Sequence, residues 1–231
     1  MYLSSKAPQV DLTSTFNKVR FLRRDTRRFL FPFMLAAILL PDTTTYAQER
    51  PVQSLLEMRR ENVVIQKWDL SCGAAALTTL LNYQHGENLT EKEVAVMLMN
   101  RPEYINNPEL IQVREGFSLL DLKRYAEARG YKGVGLGKME LKDLVDKAPV
   151  LVPIRINGYN HFVVFRGVRG NRVLLADPAW GNRTVLTEQF LENWIDYPTL
   201  GKVAFAVERR DGLVRDGHGL SPRSNDYVML R

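Results

Sequence analysis

A lone cysteine stands at the start of an apolar helix, and the fold must either surround it with catalytic neighbours or bury it as a small hydrophobe. Residues 66–81 read Gln-Lys-Trp-Asp-Leu-Ser-Cys-Gly-Ala-Ala-Ala-Leu-Thr-Thr-Leu-Leu, and Cys72 is the chain's one cysteine. The helix formers after Gly73 predict a helix from about Ser71 to Tyr83. Backbone N–H groups at a helix start carry partial positive charge, so a thiolate placed there is stabilised. Gln66 lies six residues upstream, where its amide can point back at an oxyanion beside the sulfur. Such a start serves acyl transfer if the chain also supplies a base and a group to orient it.

Hydrophobic residues make up 45% of the 231, enough for one sizeable packed domain. After the Cys72 helix, Thr90 and Glu93 form a capping box for a helix to about Met99, with Val94, Val96, Met97 and Leu98 on its buried side. Residues 100–117 read as a loop, and Ser118 with Asp121 caps a further helix ending at Gly130. A short strand over 131–137 and a short helix over 139–147 follow. The pattern then changes. Residues 150–156, 161–168 and 172–176 are β-branched and apolar, and Gly170-Asn171 reads as a two-residue hairpin turn. Residues 179–182 read as a loop, 187–195 as a helix and 202–207 as a last strand. Helices first and an antiparallel meander afterwards make an α+β layout.

There are three histidines. His85 sits in a helix-ending turn and His218 in a charged terminal stretch, and both read as solvated and inert. His161 opens a strand directly after a turn, at the edge of the sheet. Hairpin pairing about Gly170-Asn171 sets 161 near 180 and 164 near 177, so Asp177, at the end of the partner strand, comes within reach of His161. A carboxylate there accepts from the imidazole and fixes its tautomer. The four residues fit nucleophilic catalysis: Cys72 as nucleophile, His161 as base and acid, Asp177 orienting His161, and Gln66 with the Cys72 N–H as oxyanion hole. Trp68 and Trp180 flank these motifs and are candidate walls of a substrate groove. One cysteine and three scattered histidines make no zinc site, and no phosphate-binding Gly loop is present, so no metal, ATP or other cofactor is expected.

Residues 1–47 hold seven Lys/Arg against three Asp, a net +4 of the chain's +6, which leaves +2 for the body. No basic stripe survives there, which argues against nucleic acid. Arg23 to Arg28, the apolar run Phe29–Leu40 and the small residues before Gln48 read as a signal peptide cleaved near Ala47/Gln48. The alternative is an uncleaved membrane anchor, the chain's one expected contact with a membrane. Residues 48–61 read as a linker with room for a short helix, 62–208 as the catalytic domain and 209–231 as a flexible tail.

The Gln-x5-Cys-Gly motif, a histidine opening an apolar strand and Asp-Pro ending the next one together resemble the C39 peptidase family, a branch of the papain-like cysteine proteases. The resemblance covers about residues 62–208 and implies a papain-like fold and cleavage of leader peptides after Gly-Gly. This chain lacks the membrane and ATPase domains of the family's transporter members. It is more similar to stand-alone exported members, including the type found with the Fap functional-amyloid system. That implies a periplasmic enzyme whose client is a co-secreted amyloid subunit or its secretion machinery. Ser71 stands where the family often has an acidic residue. The competing readings are a C39-like module that binds a secretion substrate or pore partner without cutting it, and another acyl-transfer enzyme on the same fold.

Overall fold

Side-chain caps decide where three of the first six helices begin. The structure is a computed structural model that describes residues 53–212 and 219–230. The expected signal segment, its cleavage point and His218 lie outside those residues. Ser54 and Glu57 cap each other's backbone at the start of α1 (Leu55–Arg60). The Cys72 helix is α2 (Cys72–Tyr83). Thr90 with Glu93 opens α3 (Glu91–Met99), two short helices α4 (Pro102–Asn106) and α5 (Leu110–Val113) follow, and Ser118 with Asp121 opens α6 (Leu119–Ala128). Each such box satisfies helix-start N–H groups that otherwise have no partner. Then come β1 (Tyr131–Leu136), α7 (Leu141–Lys147), β2 (Val150–Ile156), β3 (Tyr159–Arg169), β4 (Arg172–Asp177) and β5 (Gly181–Leu186). The described chain ends with α8 (Thr187–Asn193), β6 (Asp196–Tyr197), β7 (Gly201–Lys202), β8 (Ala204–Arg209) and α9 (Asp226–Met229).

The main sheet is six-stranded and antiparallel, in the order β1-β8-β2-β3-β4-β5. Both of its faces are covered, and the two-residue period of the strands sorts side chains between them. Leu151, Val164, Ala176 and Phe205 turn to one face, where they pack with Ala74, Leu77 and Leu81 of α2, Val94 of α3 and Leu122 of α6. Val152, Val163, Phe165 and Leu175 turn to the other, with Leu144 of α7, Phe190 of α8 and Trp194. Fully burying side chains of this size stabilises by about 1.5–3 kcal/mol each.

The α+β class and the papain-like arrangement hold, and several details differ from expectation. Of the four apolar residues expected on the buried side of α3, Val94 and Leu98, one turn apart, are buried, while Val96 and Met97 are 54% and 57% exposed. The expected loop over 100–117 contains α4 and α5. It is pinned through buried Asp121, which accepts from Tyr104 Oη at 2.5 Å and pairs with Arg101. Residues 181–186, of which 181 and 182 were expected in a loop and 183–186 in no element, form the edge strand β5. The expected hairpin register shifts by one: Val164 faces Ala176 because a bulge at Arg166 inserts an extra residue between Phe165 and Gly167.

The expected linker and tail are structured where described. Met58 of α1 is buried with Leu174, Tyr227 and Leu230. The segment 219–230 folds back because buried Arg166 draws it in. Its Nε donates to Leu220 O at 2.9 Å, its Nη1 to Asn182 Oδ1 at 2.7 Å, and Asp226, fully buried, stands 3.6 Å from Nη2. A buried guanidinium needs such partners.

Candidate active site

The nucleophile helix and the histidine strand are in direct contact through a glycine. A Cβ added to Gly73 would stand 3.1 Å from the Phe162 ring and 3.7 Å from Leu122. The absence of a side chain at Gly73 therefore lets α2 sit close against β3, beside His161. Cys72, the first residue of α2, is 5% exposed. The loop before it is held from three directions. Gln66 N–H donates to Pro178 O at 2.9 Å, tying it to the turn after β4. Leu70 adopts a left-handed backbone, φ +67°. The buried carboxylate of Glu91 accepts from Lys67 N–H at 3.0 Å and lies 2.5 Å from Ser71 Oγ.

That last contact matters for chemistry. Ser71 occupies the position before α2 where a serine commonly caps the helix, yet its hydroxyl makes no cap bond. It is turned instead to Glu91 and to Trp68 O, 2.6 Å away. The first N–H groups of an α-helix have no acceptor within the helix. Left uncapped by Ser71, they remain as donors beside the sulfur. Sequence reasoning missed Glu91 because a glutamate at a helix start reads as a favourable end charge and nothing more.

His161 lies between Asp177 and Cys72. Its Nε2 donates to Asp177 Oδ1 at 2.7 Å, and Cys72, which lines the same cleft, acts electrostatically on the same ring. With Nε2 taken, Nδ1 is the nitrogen left to the sulfur. Burial alone would push the imidazole down, but its bond to Asp177 and the pull of Asp177 and Cys72 outweigh burial and raise it from 6.5 to about 9. Asp177 is fully buried. Burial pushes its carboxyl up, and the bond from His161, with help from Arg183 and the Ala179 N–H, more than offsets this and holds it below the usual range. Arg183 of β5 donates to Oδ2 from Nε at 2.8 Å, with its Nη2 also 2.8 Å away. Arg183 was not singled out from sequence because the strand that carries it was not recognised.

A cleft of about 340 Å³ opens over the sulfur, lined by Gln66, Leu70, Cys72, Tyr159, His161 and Trp180 among others. It shares Glu115, Asn160 and His161 with a second hollow of about 570 Å³ walled by Phe117, Leu119, Pro153 and Phe162, so the depression runs on past the histidine. Gln66, the expected oxyanion donor, lines the cleft; its Nε2 donates to Trp68 O at 3.3 Å and its buried Oε1 has no hydrogen-bond partner. Trp180 lines the cleft. Trp68 does not: it borders a separate apolar hollow with Ala95, Val96, Met99 and Ile105 against α3. His85 is also not free in solvent, since its Nε2 lies 3.0 Å from Val207 O and its ring 4.9 Å from that of Tyr131. Among the described residues no group of acidic, cysteine and histidine side chains is placed to hold a metal ion.

A papain-like α+β fold that places a helix-start cysteine on one cleft with a histidine and its buried aspartate fits a cysteine peptidase. Residues 60–200 match the model of the Peptidase C39 family. The chain is 35% identical over 176 residues to the "Probable functional amyloid protease FapD" of Pseudomonas aeruginosa, covering 70% of this chain and 75% of that one. It is 39% identical over 161 residues to a protein of the same description from Pseudomonas fluorescens, covering 66% of each. The crystal structure of the peptidase domain of Streptococcus ComA, a bi-functional ABC transporter involved in a quorum sensing pathway, superposes with a TM-score of 0.51 at 18% identity, over 64% of this chain and 98% of that one. That likeness bears on the fold alone. The chain belongs to the peptidase C39 family.

Proposed function

We propose that this peptidase cuts a leader or other segment from a co-secreted protein, after Gly-Gly, with Cys72 as nucleophile. The observation that carries the roles is His161 held by buried Asp177 in the cleft that Cys72 also lines. His161 takes the thiol proton. The sulfur then attacks the scissile carbonyl carbon, and the oxyanion is met by the Cys72 N–H and the Gln66 amide, each such donor being worth ~3 kcal/mol of barrier. The imidazolium returns its proton to the leaving amine and leaves an acyl-enzyme. Water, deprotonated by the neutral imidazole, releases the acid and regenerates the thiol.

A glycine preference is supported by the burial of Cys72. Where Cys72 as a whole is only 5% exposed, a residue without a side chain brings its carbonyl closest. The depression on both sides of His161 suits an extended polypeptide. The relatives described as functional amyloid proteases support an exported amyloid subunit, or a partner in its secretion, as the client. Export to the periplasm by the N-terminal segment belongs to the same reading.

The test is to incubate the full chain and its Cys72→Ala variant with a peptide library in which Gly-Gly is followed by varied residues, and to read the products by mass spectrometry. Cleavage after Gly-Gly by wild type alone supports the reading. Binding without cleavage by both proteins would instead favour a non-cutting module.

A further inference from the structure

We infer that Arg183 is a positioning residue of this site, holding Asp177 in place as a carboxylate while His161 gives up its proton. The inference rests on the catalytic roles proposed above.

The geometry divides Asp177 between two cations. Oδ1 accepts from His161 Nε2 at 2.7 Å and from Ala179 N–H at 2.9 Å. Oδ2 accepts from Arg183 Nε at 2.8 Å, with Nη2 also at 2.8 Å. The Asp177 side chain is wholly buried, and that of Arg183 is 25% exposed. The reaction needs His161 to alternate between imidazolium and imidazole. Each time the imidazole becomes neutral, one cation beside the carboxylate disappears. A buried carboxylate without a positive partner is strongly disfavoured. Were His161 its one cation, Asp177 would resist every proton that leaves for the amine. Arginine side chains keep their charge throughout the range in which enzymes work, and the Arg183 fork is fixed on the oxygen that His161 does not use. Its partly exposed edge keeps some hydration, so it bears its charge without full desolvation.

The charged and titratable groups around His161 are Asp177 of β4, Cys72 of α2, Asp69, Glu115 and Tyr159 along the cleft wall, and Arg114 and Tyr197 in the adjoining hollow. Arg183 acts behind Asp177. It competes with the imidazolium for the same carboxylate and so weakens the hold on the proton. Removing it leaves the whole field of Asp177 on His161.

The test follows the rate of Cys72 alkylation by iodoacetamide from pH 4 to 10 in the full chain. Cys72 is the sole thiol, so the signal is unambiguous. Wild type, Arg183→Gln, Arg183→Lys, Asp177→Asn and the Asp177→Asn/Arg183→Gln double variant are compared, each checked for folding by its thermal transition. In wild type the alkaline inflection should fall near the about 9 of His161. Arg183→Gln should move that inflection to higher pH, and Arg183→Lys should restore most of the shift. The double variant should match Asp177→Asn within about twofold, because Arg183 acts through Asp177. On a peptide that wild type cleaves, Arg183→Gln should lower kcat about tenfold with little change in KM, the loss of one charge-assisted contact. An inflection unmoved in folded Arg183→Gln, or additive losses in the double variant, would overturn the inference. Wild-type Cys72 with no acid-side reactivity would overturn the Cys72–His161 roles themselves.

Discussion

The ring of Phe162 rests where a side chain on Gly73 would have to go, 3.1 Å from the position of that Cβ. Gly73 follows the nucleophile and Phe162 follows the histidine, so one contact fixes the spacing of the two reacting groups. Gly73→Ala should gain helix propensity of about 1 kcal/mol and lose a similar amount to crowding. Its melting temperature should stay within a few degrees of wild type while Cys72 alkylation at neutral pH falls about tenfold, because β3 is pushed from α2. A Gly73→Ala protein as reactive as wild type would contradict this coupling.

Asp177 should matter for stability as well as chemistry. Asp177→Ala strips a buried carboxylate from His161 and Arg183 together, and breaking such a group typically costs about 3–5 kcal/mol. Urea unfolding of the variant should show that loss. The same protein's residual thiol reactivity should lose its dependence on His161.

The raised imidazole sets the sign of a pH effect. His161 is displaced upward from 6.5 to about 9, so its contribution is fully present below about pH 6.5 and disappears as the pH rises through 9. A displacement of that size corresponds to about 3 kcal/mol, as an order of magnitude. Asp177 works in the opposite sense: its depressed carboxyl contributes above its ordinary range near 3.8, and that contribution is lost as the solution becomes more acid. The difference in unfolding free energy between wild type and His161→Phe should therefore shrink between pH 6 and 10.

The C-terminal segment should behave as part of the domain. Asp226→Ala leaves Arg166 buried without its carboxylate and loosens Leu220, Tyr227 and Leu230. A loss of about 3 kcal/mol or more is expected, again as for a broken buried pair. Because this cluster does not line the Cys72 cleft, alkylation of the folded variant should proceed at close to the wild-type rate. A variant as stable as wild type would show that the segment is not anchored there.

Much of this was legible in the chain because local chemistry and tertiary role coincide. The start of α2 follows from helix formers after Cys72-Gly73, and the β3–β4 hairpin from Gly170-Asn171 between β-branched runs. His161 and Asp177 could be brought together from hairpin pairing alone, although the bulge at Arg166 shifted the register by one. What was hidden depends on partners far along the chain. β5 reads as polar because Asn182 and Thr184 serve buried polar contacts at a sheet edge, and Arg183 went with it. The 219–230 segment shows no periodicity because it is held by single anchors and by Arg166. Glu91 reads as a helix-start charge, and its hold on Lys67 and Ser71 depends on the loop before Cys72 folding onto it.

The most direct test of the central claim is substoichiometric labelling of Cys72 by iodoacetamide at pH 5–7, in wild type and in His161→Ala. If the histidine activates the sulfur, wild type should label at pH 6 at least tenfold faster than a free thiol of pKa ~8.5, and His161→Ala should lose that advantage. Equal, slow labelling of both proteins, with each still folded, would show that Cys72 is an ordinary buried thiol and that the catalytic account is wrong.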